Sequence, residues 1–180
     1  TNGTSTSNKI VLQALLAPGD IVLIDRNCHK SHHYAMVLSG AQPLYLEAYP
    51  MTAYSMYGAV PLRSIKKALL ALKAEGKLDR AKLVDLTNCT FDGHMYNTRR
   101  VMEECLAIKP DLVFLWDEAW FGFARFSPFH RLRTSMYAAG SLAERAGLRS
   151  GDWVQRWSRE GDVEPQELRS MTDLRWQIMQ

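Results

Sequence analysis

The chain lacks an apolar run long enough to cross a membrane. A membrane-spanning helix needs about 20 predominantly apolar residues, and acids interrupt the longest apolar stretch, between Asp111 and Trp120. The first eight residues are polar and do not follow the charged-then-apolar order of a signal peptide. We therefore expect a soluble protein with no membrane partner.

Cysteine is scarce, and neither sign of charge dominates. The three cysteines, Cys28, Cys89 and Cys105, are an odd number at wide spacing. This argues against a disulfide framework and favours a cytoplasmic location. The formal net charge is +3, from 22 basic and 19 acidic residues. Because these basic residues are scattered rather than clustered, we expect no nucleic-acid partner.

The order of apolar and amphipathic segments indicates an α/β domain. Short apolar runs predict strands at 20–25, 43–48, 82–87 and 111–117, and helical periodicity predicts helices at 7–16, 30–38, 62–74 and 98–107. Three of the strands are rich in Val, Leu and Ile, as expected for a mainly parallel sheet covered on both faces. The alternation of strands and helices is typical of layered α/β folds.

The last 40 residues differ in composition. Residues 141–180 are dense in Arg, Asp and Glu and contain Trp153, Trp157 and Trp176. Segments 142–146 and 165–178 have sequences compatible with helices. We interpret 1–140 as a domain core and 141–180 as a charged helical tail or insertion.

Four polar segments could carry chemistry, and the first precedes an apolar helix. The segment from Thr1 to Asn8 places Gly3, Thr4 and Ser5 where backbone N–H and hydroxyl groups can bind a phosphate. The alternative is a group of helix N-cap residues without a ligand, since Ser, Thr and Asn are favoured caps.

The second segment, Asp117-Glu118-Ala119-Trp120, follows the most hydrophobic strand. Ligands of open parallel sheets bind outside the carboxyl ends of the strands, and a carboxylate buried there needs a cationic or hydrogen-bonding partner. The alternative is an acid that caps the next turn. A P-loop ATPase would need the motif G-x-x-x-x-G-K-[ST], which the sequence does not contain.

The third segment runs from Asp25 to His33 and contains Cys28, His29, His32 and His33. The other cysteines and histidines offer no second ligand pair at zinc-finger spacing, so we predict no metal site. A polar loop is one interpretation, and a histidine stacked on a planar cofactor is the other.

The fourth segment, from Thr87 to His94, combines hydroxyl, amide and carboxylate groups with a glycine suited to a tight turn. A simple loop is the alternative for this segment too. All four segments, however, fall after strands or at a helix start, which places them on one edge of the sheet.

Together the four segments resemble the prokaryotic ornithine/lysine/arginine decarboxylases, which are fold-type-I pyridoxal-phosphate enzymes. The resemblance rests on NGTSTSNK at the start, DRNCHKS from Asp25, TNCTFDGHMYN from Thr87, and WDEAW followed by FSPFH. These motifs occur in the family's order between Thr1 and about Ala139. The resemblance implies the large domain of that fold, a three-layer sandwich with a mainly parallel sheet.

The resemblance also implies pyridoxal 5'-phosphate as cofactor and a role for each matching residue. Gly3, Thr4 and Ser5 would bind its phosphate, and Asp117 would pair with the protonated pyridine nitrogen. His29 would stack on one ring face while Ala119 leaves room on the other. The resemblance places three further residues near the ring: Thr90, Asp92 and Trp120.

The implied activity is the decarboxylation of a small basic amino acid, ornithine, lysine or arginine, with His29 and Asp117 as catalytic residues. The family's attachment lysine lies downstream of the aspartate in a Ser-x-His-Lys setting, whereas all eight lysines here precede Asp117. We therefore expect a fragment of a larger decarboxylase, with the 141–180 tail preceding the missing lysine. The alternatives are a catalytically inactive binding or assembly module and another fold-type-I reaction, such as aminotransfer or elimination.

The resemblance further implies a homo-dimer or higher homo-oligomer, formed through the rest of the parent chain. A truncated sheet would expose an edge and apolar surface. We therefore expect these 180 residues to be stable only with the rest of the protein or with partner chains.

Overall fold

The computed structural model describes residues 2–145 and two short strands further along the chain. Its α-helices and β-strands follow one another in this order: α1 (Thr4–Leu15), β1 (Ile21–Asp25), α2 (Lys30–Ser39), β2 (Gln42–Leu46), β3 (Pro50–Met51), β4 (Met56–Tyr57), α3 (Leu62–Ala74), β5 (Ala81–Thr87), α4 (Thr98–Leu106), β6 (Val113–Asp117), α5 (Ser135–Arg145), β7 (Arg156–Trp157) and β8 (Gln166–Glu167).

Four strands form a parallel sheet in the order β2-β1-β5-β6. The chain runs from β1 outward to β2 and later from β5 outward to β6, so the direction of winding reverses between β1 and β5. Such a reversal is the topological switch point at which open α/β sheets bind ligands. The short strands β3 and β4 form a separate antiparallel pair.

Helices cover both faces of the sheet, which makes three layers. On one face, α1 and α2 bury Leu12 and Met36 against Val22, Ile24 and Leu83. On the other face, α3 and α4 pack against the alternate residues of the same strands. The sheet is thus covered on both sides, as its almost continuous apolar strands require. The predicted three-layer α/β fold with a parallel sheet is confirmed.

The local sequence accounts for the helix positions. In α3, the buried residues Ile65, Leu69 and Leu72 recur at helical spacing and form one apolar stripe. Helix α2 ends at Gly40, whose φ of 71° is left-handed, and an added Cβ would lie 3.2 Å from Cγ of Pro18. Only glycine combines that φ with so close an approach to the preceding loop.

The predicted segments agree with the structure. Each of the four predicted strands and four predicted helices is present, with ends displaced by at most three residues. The largest displacement is at α1, which begins at Thr4 rather than at Ser7 because the Thr and Ser residues form its first turn.

The tail carries two predictions that the structure leaves largely untested. Residues 142–145 belong to α5, whereas Gln166–Glu167, inside the second predicted helix, form the strand β8 and pair with β7 instead. The remainder of the two predicted tail helices, including Ala146 and most of 165–178, lies outside the described residues. Within the part of the chain that the structure describes, no helix has the length and apolar character needed to span a bilayer.

Candidate active site

A pocket of about 760 Å³ opens at the carboxyl edge of the sheet. It lies beyond β1, β5 and β6, and the amino end of α1 forms one wall. Its volume is in the ordinary range for small-molecule sites. Of the nine candidate residues predicted from the sequence, eight line this pocket: Thr4, Ser5, His29, Thr90, Asp92, Asp117, Ala119 and Trp120. The ninth, Gly3, lies next to the pocket as the N-cap of α1.

At the amino end of α1, beside the pocket, the first backbone N–H groups have no hydrogen-bond partner among the described residues. Its N-cap, Gly3, has φ 78° and supplies no side-chain hydrogen bond, and the first turn contains no acid. The neighbouring Thr4 and Ser5 are exposed and line the pocket. Unpaired N–H groups and the positive end of the helix dipole favour an anion such as a phosphate at this wall.

Asp117 is a buried carboxylate at the end of β6, only 6% exposed. Its Oδ2 accepts hydrogen bonds from His32 Nε2 at 2.9 Å and from Asn8 Nδ2 at 3.1 Å, and its Oδ1 accepts one from the Ala119 N–H at 3.0 Å. Burial alone would raise the pKa of Asp117, but His32, the Ala119 N–H and Asn8 together hold that pKa below its ordinary value. Asp117 is therefore ionised and fixed in orientation.

His32, the principal partner of Asp117, has a second carboxylate on its other side. Its Nδ1 lies 2.6 Å from Oδ2 of Asp85, and both residues are fully buried. Burial disfavours the charged ring, but the hydrogen bonds with Asp117 and Asp85 outweigh it and raise the pKa of His32 to about 9. Burial also raises the pKa of Asp85, against the effect of its bond to His32. The two carboxylates beside the His32 ring therefore make it hold its proton more tightly than usual.

His29 is the N-cap of α2 and lies on the pocket wall. Its Nδ1 accepts a hydrogen bond from the Ser31 N–H at 3.2 Å and lies 2.9 Å from the Ser31 hydroxyl. Because Nδ1 accepts from the backbone, the proton of the neutral ring lies on Nε2. The cap fixes the imidazole against the pocket.

The loop after β5 supplies Thr90 and Asp92. It is folded on itself, since the Thr90 carbonyl accepts from the Gly93 N–H at 2.9 Å and the Thr90 hydroxyl accepts from the His94 N–H at 3.2 Å. Asp92 is exposed at the pocket mouth. The hydroxyl of Thr87, another pocket residue, is buried and has no hydrogen-bond partner among the described residues.

Trp120 and Phe91 form an aromatic pair at the mouth of the pocket. Their ring centroids are 4.8 Å apart with the planes tilted by 51°, and both side chains are largely exposed. Ala119 is exposed between Trp120 and Asp117 and adds little bulk to the wall.

The acid beside Asp117 has a structural role. Oε1 of Glu118 accepts from Asn88 Nδ2 at 2.6 Å and from the Ser135 N–H at 2.7 Å, at the start of α5. Asn88 is buried, and its Oδ1 accepts from the Tyr96 N–H at 3.0 Å. Glu118 and Asn88 therefore hold the loops after β5 and β6 together.

Asn8 and Asp85 were not predicted as site residues from the sequence, and His32 was considered only as a zinc ligand. Two signals in the sequence point to Asp85. Asp85 is an acid in the middle of an apolar strand, and it shares the alternation of Asp117, so both side chains are on the face that α2 covers. A carboxylate at such a position needs a partner from the covering helix.

The fold and the pocket together define an α/β domain with a pocket at the switch point of a parallel sheet, a helix N-terminus at its wall and a fixed carboxylate at its base. The chain belongs to the Orn/Lys/Arg decarboxylase family. The model of that family's major domain matches residues 1–146.

Two curated relatives are similar over most of the chain. The inducible ornithine decarboxylase of Escherichia coli is 42% identical over 135 residues, which are 71% of this chain and 18% of that protein. The lysine decarboxylase LdcA of Pseudomonas aeruginosa is 37% identical over 141 residues, 75% of this chain and 18% of that protein. The chain thus spans less than a fifth of the length of these relatives.

A solved structure agrees with the family assignment. The constitutive lysine decarboxylase of Escherichia coli superposes with a TM-score of 0.65 at 31% identity, over 76% of this chain and 19% of that one. The four motifs identified in the sequence therefore mark a genuine family relationship.

Proposed function

We propose that the protein carrying this chain decarboxylates a basic amino acid, and that residues 1–140 form part of the domain that binds its cofactor, pyridoxal 5'-phosphate. The observation that carries the proposal is the Asp117 carboxylate, ionised and held by three donors at the base of a pocket whose wall is a helix N-terminus. The named relatives, an ornithine and a lysine decarboxylase, support the reaction and the class of substrate.

The pocket has the donor set that this cofactor requires. The uncapped end of α1, with Thr4 and Ser5, suits a phosphate, and Asp117 suits a protonated ring nitrogen. The unpaired hydroxyl of Thr87 leaves one further donor facing the same space. When bound, pyridoxal phosphate supplies an electron sink for the electron pair released as the carboxylate of the substrate departs.

The residues of this chain would bind and tune the cofactor. Asp117 would hold the proton on the pyridine nitrogen, because its lowered pKa keeps it ionised and therefore able to pair with that cation. His29, held by its cap, would lie against one face of the ring, and Ala119 would leave space near the other. Trp120 and Phe91 would restrict water at the mouth.

We further propose that the lysine which binds the cofactor covalently lies outside these 180 residues. Every lysine of the chain precedes Asp117, and Lys30, which lines the pocket, follows directly on His29 rather than occupying the family's downstream position. The relatives extend well beyond the matched region, which is compatible with a lysine elsewhere in the parent protein.

Borohydride trapping tests the cofactor assignment. The full-length protein is purified with pyridoxal phosphate, reduced, and mapped by peptide mass spectrometry. We expect a pyridoxyl-lysine in a peptide outside residues 1–180, and a reduction without any modified lysine would contradict the assignment.

Product analysis tests the reaction. CO2 release is measured separately with ornithine, lysine and arginine, and we expect one of them to yield CO2 together with its diamine or, for arginine, agmatine. A keto acid without CO2 would identify aminotransfer instead. Cofactor binding without any product would favour an inactive binding module.

We also propose that the chain assembles with other parts of its protein or with a second copy. Several large apolar side chains of the described residues are exposed, among them Val37 on α2 (81%) and Phe126 (88%) after β6. Size-exclusion chromatography with light scattering of the full-length protein should show a dimer or a higher multiple. A monomeric 180-residue chain that unfolds cooperatively in urea would contradict the need for such contacts.

A further inference from the structure

A hydrogen-bonded network beneath the pocket connects four elements of the fold. His32 from α2 lies between Asp85 on β5 and Asp117 on β6, with contacts of 2.6 and 2.9 Å. Asn8 from α1 contacts the same Asp117 oxygen. His32 and Asp85 are fully buried and do not line the pocket, so neither touches a ligand there.

The arrangement dictates the protons of His32. Both ring nitrogens face carboxylate oxygens. An ionised carboxylate can accept hydrogen bonds but cannot donate one. Two protons therefore lie along the line from Asp85 through His32 to Asp117. Whether the proton of the 2.6 Å contact lies on Nδ1 or on Asp85, the three side chains together carry one negative charge. That charge is the complement of one protonated pyridine nitrogen.

Asn8 extends the network toward the other side of the pocket. Its Nδ2 lies 3.1 Å from Oδ2 of Asp117 and 3.2 Å from the Ser31 hydroxyl, which lies 2.9 Å from Nδ1 of His29. The two amide hydrogens of Asn8 can serve these two oxygens, and its Nδ2 also lies 3.1 Å from Nε2 of His32. The carboxylate at the base of the pocket and the imidazole on its wall are thus held by one continuous set of bonds.

Stability alone is a poor explanation for Asp85. Its Oδ1 is buried with no hydrogen-bond partner among the residues described, in a strand whose other buried residues are apolar. Replacing a buried ion pair with well-packed apolar residues is often neutral or stabilising. Among the described residues, the single hydrogen bond of the Asp85 side chain joins its Oδ2 to the ring of His32.

We propose that His32 and Asp85 are positioning residues for Asp117, fixing the orientation and charge of the carboxylate that pairs with the ring nitrogen of the cofactor. This inference rests on the proposed function. Asp85 holds the His32 ring, the ring holds Oδ2 of Asp117, and Asp117 itself lines the pocket.

The test compares two ligands that differ only at the ring nitrogen. The dissociation constants of the full-length protein are measured for pyridoxal phosphate and for its analogue in which a C–H group replaces that nitrogen. The ratio of the two constants isolates the contact with Asp117, because the phosphate, hydroxyl and aldehyde groups are common to both.

We expect His32→Leu to weaken pyridoxal phosphate binding at least tenfold and the analogue less than threefold. Asp85→Asn keeps the volume of the side chain. It should lower the preference for pyridoxal phosphate over the analogue at least threefold. If the leucine variant fails to fold, the asparagine variant still tests the inference. The matched control is His33→Leu, since His33 lies on the same helix but contacts Tyr45 and Cys28 rather than Asp117.

The outcomes separate the inference from the proposed function. A wild-type protein that binds pyridoxal phosphate no better than the analogue would overturn both. If the wild type prefers pyridoxal phosphate and the His32 and Asp85 variants keep that preference, the inference alone is overturned. The same holds if the variants lose affinity for both ligands equally, because a merely structural role affects the two ligands equally.

Discussion

Replacing Asp117 with asparagine tests the proposed site at its centre. The substitution keeps the shape of the side chain but removes its charge, and an amide oxygen can accept on one side only. If the oxygen faces His32 and Asn8, the new NH2 group opposes the Ala119 N–H, which now donates to Asp117 at 3.0 Å. At least one hydrogen bond to a charged group is lost, at a cost of about 1.5–3 kcal/mol.

The effect on the reaction should exceed the effect on stability. A neutral amide does not stabilise a protonated pyridine nitrogen, so the electron sink is weakened at the moment when negative charge develops. Losing one preorganised electrostatic contact commonly lowers kcat by about 10²–10³-fold, equivalent to about 2.7–4 kcal/mol. We expect a loss of this size for Asp117→Asn, measured as CO2 release under saturating substrate and cofactor.

The control is Asp111→Asn, which removes a carboxylate beyond the opposite end of β6, where Asp111 is exposed and pairs with Lys109. It should change kcat less than twofold. If Asp117→Asn retained kcat within threefold of the wild type while bound to cofactor, the proposed pairing of Asp117 with the ring nitrogen would be wrong.

Three further predictions concern stability and are measured as local unfolding free energies by native-state hydrogen exchange. Leu23→Ala, in the centre of β1 and fully buried, should cost about 2–5 kcal/mol, and an effect no larger than that of the exposed control Ile10→Ala would contradict the described core. Asn97→Ala removes the oxygen that accepts the Arg100 N–H at the start of α4 and should cost about 1 kcal/mol, so unchanged exchange in α4 would refute the cap. Because the folded pKa of His32 is raised from 6.5 to about 9, its stabilisation is complete below pH 6.5 and is lost as the pH rises through 9. The wild type should therefore lose stability across this window more than His32→Gln does, and parallel pH profiles would disprove the linkage.

The segments of the fold were predictable because their signals are local. The spacing of Ile65, Leu69 and Leu72 predicts α3, and its observed bounds, Leu62–Ala74, are those expected from the sequence. The apolar run ending at Asp117 similarly predicts β6. The strands β3 and β4, of two residues each, are too short to leave a periodic signal.

The candidate pocket was predictable in outline for a similar reason. Residues that follow parallel strands meet at one edge of the sheet, so Asp117, Thr90 and His29 were expected close together. The catalytic roles of Asp117 and His29, and the cofactor-binding role of Thr90, remain predictions from the family resemblance. The short motif around Asp117 did not reveal that Glu118 bridges two loops, because its partners Asn88 and Ser135 are 30 and 17 residues away.

The sequence by itself determined the order of strands and helices, the edge at which polar segments meet, and the family. These properties depend on periodicity, turn residues and short motifs. Only the tertiary structure decided what surrounds Asp117, because its contacts with His32 and Asn8 join residues 85 and 109 positions apart. Contacts of that kind depend on how α1 and α2 lie across the sheet and on which strand neighbours which, and no local pattern contains this information.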